Sequence, residues 1–210
     1  MKRFRVVGLV VVAMFALTAL VGTAVASAPK NLTLKTAKGA LAANAQVTGS
    51  SSNLIFKTSA GNLECSKNVI EGTVGNNGGK KDSGSITKES STGEEAGGLC
   101  KTTTPLGIAK IESKNLPWSI VFTDKGVAEV KGKKVAFTSV FPNGGNATCT
   151  FETSKVKSSF AIGGPVKITV AKQKFKINKK ISTSVCPKEG TLEGEFSVTS
   201  NSETVESELT

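Results

Sequence analysis

The stretch WSIVFT (118–123) decides the fold class, because its large apolar side chains fall on alternate positions. An alternation of period two is typical of a β-strand with one face in a core. The stretches VKITVA (166–171) and EFSVTS (195–200) show the same period. Turn sequences such as PNGG (142–145) separate these strands,. We therefore predict an all-β protein, an antiparallel sandwich or barrel of about a dozen strands or more.

A short motif, Gly-Asn-x-x-Cys, occurs twice, as GNLEC (61–65) and GNATC (145–149). In each case a Gly-Gly pair follows the cysteine by 13 or 14 residues, and another cysteine follows it by 35 or 37 residues. Ordered matches of this kind indicate an ancient duplication. We predict repeat one at about 54–113, connecting hairpins over 114–137, and repeat two at about 138–200.

The chain contains four cysteines, Cys65, Cys100, Cys149 and Cys186. An even number of cysteines in an exported protein predicts two disulfides, and spacing alone leaves three pairings open. If each repeat is one structural unit, the pairs are Cys65–Cys100 and Cys149–Cys186. Without a C-x-x-C pair or any histidine, the sequence predicts no zinc site and no other metal site.

The segment 75–98 departs from the strand pattern. It contains seven glycines and a single large apolar residue, Ile86. A segment of this composition buries too little apolar surface to offset the entropy of ordering its backbone. We therefore predict a mobile loop over 75–98, held at its ends by Cys65 and Cys100.

The N-terminus predicts export. Three cations within the first five residues precede an uncharged, apolar run that ends at Pro29. Ala24 and Ala26 fit the small-residue rule for cleavage after Ala26. The sequence thus predicts a signal peptide over 1–26 and a secreted domain over 27–210 with no further membrane span. The alternative is an uncleaved anchor, because the run is long enough to cross a bilayer.

Charge is unevenly distributed. Beyond residue 26, 24 lysines stand against 16 carboxylates, and no arginine remains. Residues 131–180 contain eleven lysines and one acid, Glu152. The lysines could form a solvated face that discourages edge pairing, or a patch for an anionic cell-surface polymer. Nucleic acid is not expected as a partner, because arginine and exposed aromatic residues are scarce. The candidate anion-binding residues are Lys167, Lys172, Lys174, Lys176, Lys179 and Lys180.

The absence of histidine excludes Ser-His-Asp and Cys-His catalysis,. Carboxylates remain, and Glu193 and Glu195 share one face of a predicted strand, at about the separation of a glycosidase pair. Most such strand glutamates are only solvated. We therefore predict that the protein is not an enzyme and binds no cofactor. The predicted role is a secreted, non-catalytic binding or structural module of the cell surface. The alternative is a carboxylate-based glycoside hydrolase or a barrel that carries a small apolar ligand.

The stretches SSNLIFKTSAGNLEC (51–65) and GEFSVTS (194–200), with Cys186-Pro187 between them, resemble small secreted β-proteins of unassigned function from soil actinobacteria. The resemblance covers most of the chain after the signal peptide. It implies a secreted β-rich fold, and it carries over no site residues.

Overall fold

The computed structural model describes residues 30–210, which form seventeen β-strands and no α-helix. The predicted signal peptide lies outside the described residues. Single 3₁₀ turns occur at Ala96–Gly98 and Pro142–Gly144. The strands, in chain order, are β1 (Leu32–Thr36), β2 (Gly39–Ala40), β3 (Gln46–Ser51), β4 (Leu54–Thr58), β5 (Gly61–Cys65), β6 (Lys67–Val74), β7 (Lys81–Thr92), β8 (Lys101–Thr102), β9 (Lys110–Lys114), β10 (Trp118–Thr123), β11 (Val127–Phe141), β12 (Ala147–Ser159), β13 (Gly164–Pro165), β14 (Lys167–Ile177), β15 (Glu189–Ser200), β16 (Glu203–Thr204) and β17 (Glu206–Leu209).

Eight of these strands close into an antiparallel barrel, in the order β3, β6, β7, β10, β11, β12, β14 and β15. Each strand pairs with the next one of this set along the chain, and β15 pairs with β3 to close the ring. An up-and-down barrel of eight strands has an interior that side chains can just fill, or that holds one small ligand. Of the two predicted architectures, the barrel is therefore the correct one.

The predicted alternation directs side chains into this barrel. Trp118, Ile120 and Phe122 are buried, and so are Ile168 and Val170. A β-bulge interrupts β14 between Val170 and its next paired residue. Beyond the bulge the inward positions change from even to odd numbers, which explains how a single strand can present both apolar runs to the core.

Four further strands, β4, β5, β8 and β9, extend the barrel at one end, which we call the lower end. β15 continues past β3 to pair with β4, and β11 continues past β10 to pair with β9. β4 pairs with β5, and β5 with β8. An antiparallel bridge between Cys100 and Ala109 joins the β8 and β9 sides. The long strands β11, β12, β14 and β15 thus run through two stacked rings.

A small sheet, in the order β13, β17, β1 and β2, lies at the opposite, upper end. The Leu32 N–H donates to the Gly79 carbonyl (2.8 Å) in the turn between β6 and β7. Leu32 and Val205 are both fully buried in the same apolar cluster as the barrel interior. The core is therefore continuous from this sheet into the barrel.

The prediction of a mobile loop over 75–98 is wrong, because Lys81–Thr92 forms β7, a twelve-residue barrel strand. β7 pairs with β6 along one edge and with β10 along the other. Two ladders of backbone hydrogen bonds satisfy its polar groups, so that the strand forms although Ile86 is its single large apolar side chain. Composition alone did not reveal this tertiary support.

Both predicted disulfides are present, Cys65–Cys100 and Cys149–Cys186, so the predicted pairing is confirmed. The first pair brackets β6 and β7, and the second brackets β14 and most of β12. In both cases a Gly-Gly turn lies between the two strands. The duplication itself stays a prediction.

Candidate functional site

A cavity of about 130 Å³ lies inside the barrel, and we call it the inner chamber. Most of its wall is aliphatic or aromatic, and includes Ile120, Val156 and Phe196. Trp118, the single tryptophan of the chain, also lines it. The Trp118 indole N–H donates to the Lys114 carbonyl (3.1 Å), so the ring presents its apolar body to the chamber,.

Four polar side chains also line the inner chamber, and each already has a hydrogen-bond partner in the protein. Ser91 and Ser113 each donate a hydroxyl proton to the carboxylate of Glu89, one to each oxygen. Ser158 donates to the Ala128 carbonyl (3.1 Å). Each polar side chain of this wall therefore has at least one hydrogen-bond partner within the protein,.

A cluster of four phenylalanines crosses the barrel below the inner chamber. The Phe56 ring lies 4.9 Å from Phe137, 4.7 Å from Phe151 and 6.1 Å from Phe175, measured between ring centroids. Edge-to-face and tilted pairs at such distances stabilise each other beyond simple burial. These rings separate the inner chamber from a second cavity.

The second cavity, of about 300 Å³, lies at the lower end, and we call it the end chamber. Phe56 lines both chambers. The hydroxyl of Thr58 donates to the Gly61 carbonyl (2.8 Å), and that of Thr104 bonds to Thr102 (3.0 Å). Ser139 differs, because it is 1% exposed and its hydroxyl has no hydrogen-bond partner among the described residues.

Both disulfides anchor segments that form the wall of the end chamber. Pro105 and Leu106 follow Cys100, and Val185 and Pro187 flank Cys186. Each bridge ties one of these irregular segments to a strand, to β5 in the first case and to β12 in the second. The disulfides therefore fix the shape of this end of the barrel.

The predicted lysines lie on the outside of the barrel. Lys167, Lys172, Lys174 and Lys176 are exposed positions of β14. Phe175 between them is 1% exposed and points into the core, as the alternation predicts. Two more exposed lysines, Lys179 and Lys180, follow β14. The structure thus brings the β14 lysines together on one face, at a distance from both chambers.

The two candidate carboxylates of β15 do not form a pair. Glu193 bonds to Lys57 of β4 (2.6 Å), whereas Glu195 lies 3.9 Å from Lys167 of β14. Their partners belong to strands on opposite sides of β15. Each glutamate therefore belongs to a separate surface ion pair, and neither lines the inner or the end chamber.

Among the carboxyl groups with shifted pKa values, Glu129 and Asp82 lie in strands of the barrel. A hydrogen bond from Lys131 lowers the pKa of Glu129, and the charges of Lys131 and Lys155 add to this effect. Burial raises the pKa of Asp82, whose side chain is fully buried in β7, although backbone N–H groups including that of Gly79 oppose the shift. The Asp82 Oδ2 atom has no hydrogen-bond partner among the described residues.

Sequence reasoning missed the polar residues of the two chambers. Glu89 and Ser91 are two positions apart on β7, a spacing that places both side chains on one face of a strand. The spacing of Glu89 and Ser91 could have indicated a shared strand face, but the prediction of a loop over 75–98 meant that it was not interpreted as a strand. Ser139 carried no signal, because its isolation depends on which strands surround it.

Comparison of the chain with protein-family models, with curated proteins and with solved structures finds no significant match. The resemblance to secreted actinobacterial β-proteins therefore stays a prediction. Within residues 30–210, no helix has the length and apolar character needed to cross a membrane. The two disulfides are typical of proteins from an oxidising, extracellular environment,.

Proposed function

We propose that this protein is a secreted, non-catalytic binding protein that holds a small apolar molecule in the inner chamber of its barrel. The observation that carries the proposal is a cavity of about 130 Å³ whose four polar side chains are already hydrogen-bonded within the protein. Cavities are rare in well-packed cores, since each empty volume forfeits contact energy. A retained cavity of this size is therefore suited to a ligand.

The size and chemistry of the inner chamber define the ligand class. Apolar protein cavities of about 150 Å³ stay dry and bind molecules such as benzene or xenon. Ile120, Val156 and Phe196 offer dispersion contacts of the same kind. Both carboxylate oxygens of Glu89 already accept hydrogen bonds from serine hydroxyls of the protein. The proposed ligand is a neutral, apolar molecule of about the size of one aromatic ring.

The carboxylates favour binding over catalysis. A glycosidase needs two carboxyl groups that face each other across a substrate. Glu193 and Glu195 instead form ion pairs with lysines on opposite sides of β15. Glu89 faces serines and no second acid among the residues that line the chamber. Export, proposed from the signal sequence, is supported by the two disulfides.

Trp118 makes the proposal directly testable, because the only tryptophan of the chain lines the inner chamber. We expect benzene or toluene to change Trp118 fluorescence in a saturable way and to raise the melting temperature. A ligand at 100 times its Kd stabilises the folded state by about 2.7 kcal/mol, provided that it does not bind the unfolded chain.

Two variants separate occupancy of the chamber from general effects. Val156→Phe places a ring inside the chamber, whereas Val121→Phe places the same ring on the outer face of β10, where Val121 alternates with buried neighbours. We expect the first variant to lose the fluorescence response and the second to keep it. A response of equal size in both variants, or none in the wild type, would overturn the proposal.

A further inference from the structure

Lysines from three neighbouring strands cover one outer face of the barrel. Strands β11, β12 and β14 pair in this order, so that their outward side chains share one surface. We call this surface the lysine face, and it consists of Lys131, Lys133, Lys134, Lys155, Lys157, Lys167, Lys172, Lys174 and Lys176, all of them exposed. The sequence indicated only the β14 part of it, because the contributions of β11 and β12 depend on the pairing.

Few carboxylates oppose these charges. Glu129 and Glu152 are the only acidic residues of the three strands. Glu129 lies 2.5 Å from Lys131 and within 4.0 Å of two further lysines, and Glu152 lies 3.0 Å from Lys134. Among the described residues, four lysines of the face have no carboxylate within 4.0 Å, namely Lys133, Lys172, Lys174 and Lys176.

The glutamate-rich C-terminal region does not neutralise the face. Glu203 and Glu208 form ion pairs with Lys38 and Lys35 at the upper end of the molecule. Glu193 pairs with Lys57 on β4. Of the described glutamates beyond residue 181, Glu195 lies 3.9 Å from Lys167, and Glu189 lies opposite Lys176 in the β14–β15 register without an ion pair within 4.0 Å. This register pairs neither Lys172 nor Lys174 with a glutamate of β15, so the charge of these two lysines is left for an external partner.

The spacing of the lysines suits a polymer. Outward residues two apart on a strand are separated by about 7 Å, and neighbouring strands by about 4.8 Å. Lys172, Lys174 and Lys176 thus form a row of charges, with a second row on β12. Such an array attracts a chain of repeated negative charges far more strongly than a single anion.

The choice of lysine over arginine indicates how the face recognises anions. The two-pronged guanidinium of arginine matches the shape of single carboxylate or phosphate groups, and this part of the chain lacks arginine,. Lysine acts as a point charge with three rotatable donors, as in phosphate-binding loops, so the face favours a polymer with a negative charge on every repeat, as phosphate polymers have. We propose that the lysine face binds a linear polymer of phosphate groups, such as a polyol-phosphate polymer of a cell surface. This inference does not depend on the inner chamber.

A triple substitution tests the proposal. We expect long-chain inorganic polyphosphate to bind the wild type at 0.1 M salt and to be released as salt rises, because the Debye length falls from about 10 Å at 0.1 M to about 3 Å at 1 M. K172Q/K174Q/K176Q should lower the affinity at least about tenfold. It should also reduce the slope of log affinity against log salt by about 1 for each lysine that contacts a phosphate.

The matched control removes the same net charge elsewhere. Lys67, Lys81 and Lys101 are exposed, lie on β6, β7 and β8, and have no carboxylate within 4.0 Å among the described residues. K67Q/K81Q/K101Q should keep its affinity within about threefold. Equal losses in the two triple variants would show that only net charge matters and would overturn the proposal, as would absence of binding at low salt. Tighter binding to polygalacturonate or to duplex DNA than to polyphosphate would overturn the assignment to phosphate polymers.

Discussion

Val156→Phe provides a quantitative test of the inner chamber that needs no ligand. Val156 is buried on β12 and lines the cavity. In proteins, empty core volume costs about 24 cal/mol per Å³. A cavity of about 130 Å³ thus corresponds to a deficit of about 3 kcal/mol, which is the upper limit of what filling can recover. One phenylalanine ring fills part of the cavity, so we expect a gain of about 1 kcal/mol.

The same substitution in a filled part of the core should have the opposite sign. Val205 is 1% exposed, belongs to the apolar cluster and lines neither chamber. Because overpacking costs about 1–3 kcal/mol, Val205→Phe should destabilise the protein. Val121→Phe, on the outer face of β10, serves as the surface control and should change the free energy of unfolding by less than about 0.5 kcal/mol.

Thermal and urea unfolding measure these differences. For a domain of this length, 1 kcal/mol corresponds to a change in Tm of about 2–4 °C. We expect the highest Tm for Val156→Phe, an intermediate Tm for the wild type and the lowest Tm for Val205→Phe. If Val156→Phe lowers the Tm as much as Val205→Phe does, the inner chamber is filled in solution and the proposed ligand site does not exist.

Two further predictions concern buried polar groups. Asp82→Asn removes a buried carboxyl while it keeps the oxygen that accepts from the Gly79 N–H (3.2 Å). Burial raises the folded-state pKa of Asp82, so the contribution of this group to stability is present below the unfolded pKa and is lost as pH rises through the folded pKa. Urea unfolding should therefore show that the variant is more stable than the wild type at pH 7 but not at pH 3. Equal effects on the free energy of unfolding at both pH values would contradict this reasoning. Ser139→Ala should leave the free energy of unfolding unchanged, since the Ser139 hydroxyl has no hydrogen-bond partner among the described residues. Ser158→Ala should lower the free energy of unfolding by about 1 kcal/mol, because it removes a buried hydrogen bond to the Ala128 carbonyl,. Similar losses in both variants would show that Ser139 is hydrogen-bonded in solution.

The elements that could be predicted from the sequence are strands whose own alternation of apolar and polar residues shows which face is buried. Trp118, Ile120 and Phe122 alternate with polar or smaller residues, and all three are buried. The cysteine pairing was predicted from the matched spacings of 35 and 37 residues together with the hypothesis of a duplication, and the disulfides have this pairing. Both signals lie in the order of residues along the chain, so no knowledge of neighbouring strands was needed.

β7 could not be recognised from its own residues. Its buried positions include Asp82 and Ser91, and a register shift opposite Glu71 and Gly72 changes which positions face inward. A strand whose inward side chains are small or polar lacks the apolar alternation that defines strands in sequence. Pairing with β6 and β10 stabilises β7, and this tertiary pairing cannot be recognised from the sequence of β7 itself.

The two chambers could not be predicted from the sequence either. Glu89 faces the barrel interior because β7 is a barrel strand, and Ser113 reaches it from β9. The cavity volume depends on the closure of β15 against β3 and β14. The sequence permitted a ligand-carrying barrel as one alternative, but it contained no measure of how completely the interior is filled.

The pairing of β15 with β3 has a consequence for how the chain acquires its structure during the export proposed above. β3 and β15 are separated by about 140 residues. The separation of β1 from its partner β17 is larger still, since Leu32 pairs with Leu209. A chain that crosses a membrane from its N-terminus can form the β6–β7 hairpin and the Cys65–Cys100 bridge early, because both are local. The edge of β3 must stay open until nearly the whole chain has emerged, and closing so large a loop is entropically costly and slow. If the protein is exported as proposed, we expect the half-emerged chain to be the form most exposed to edge-to-edge association.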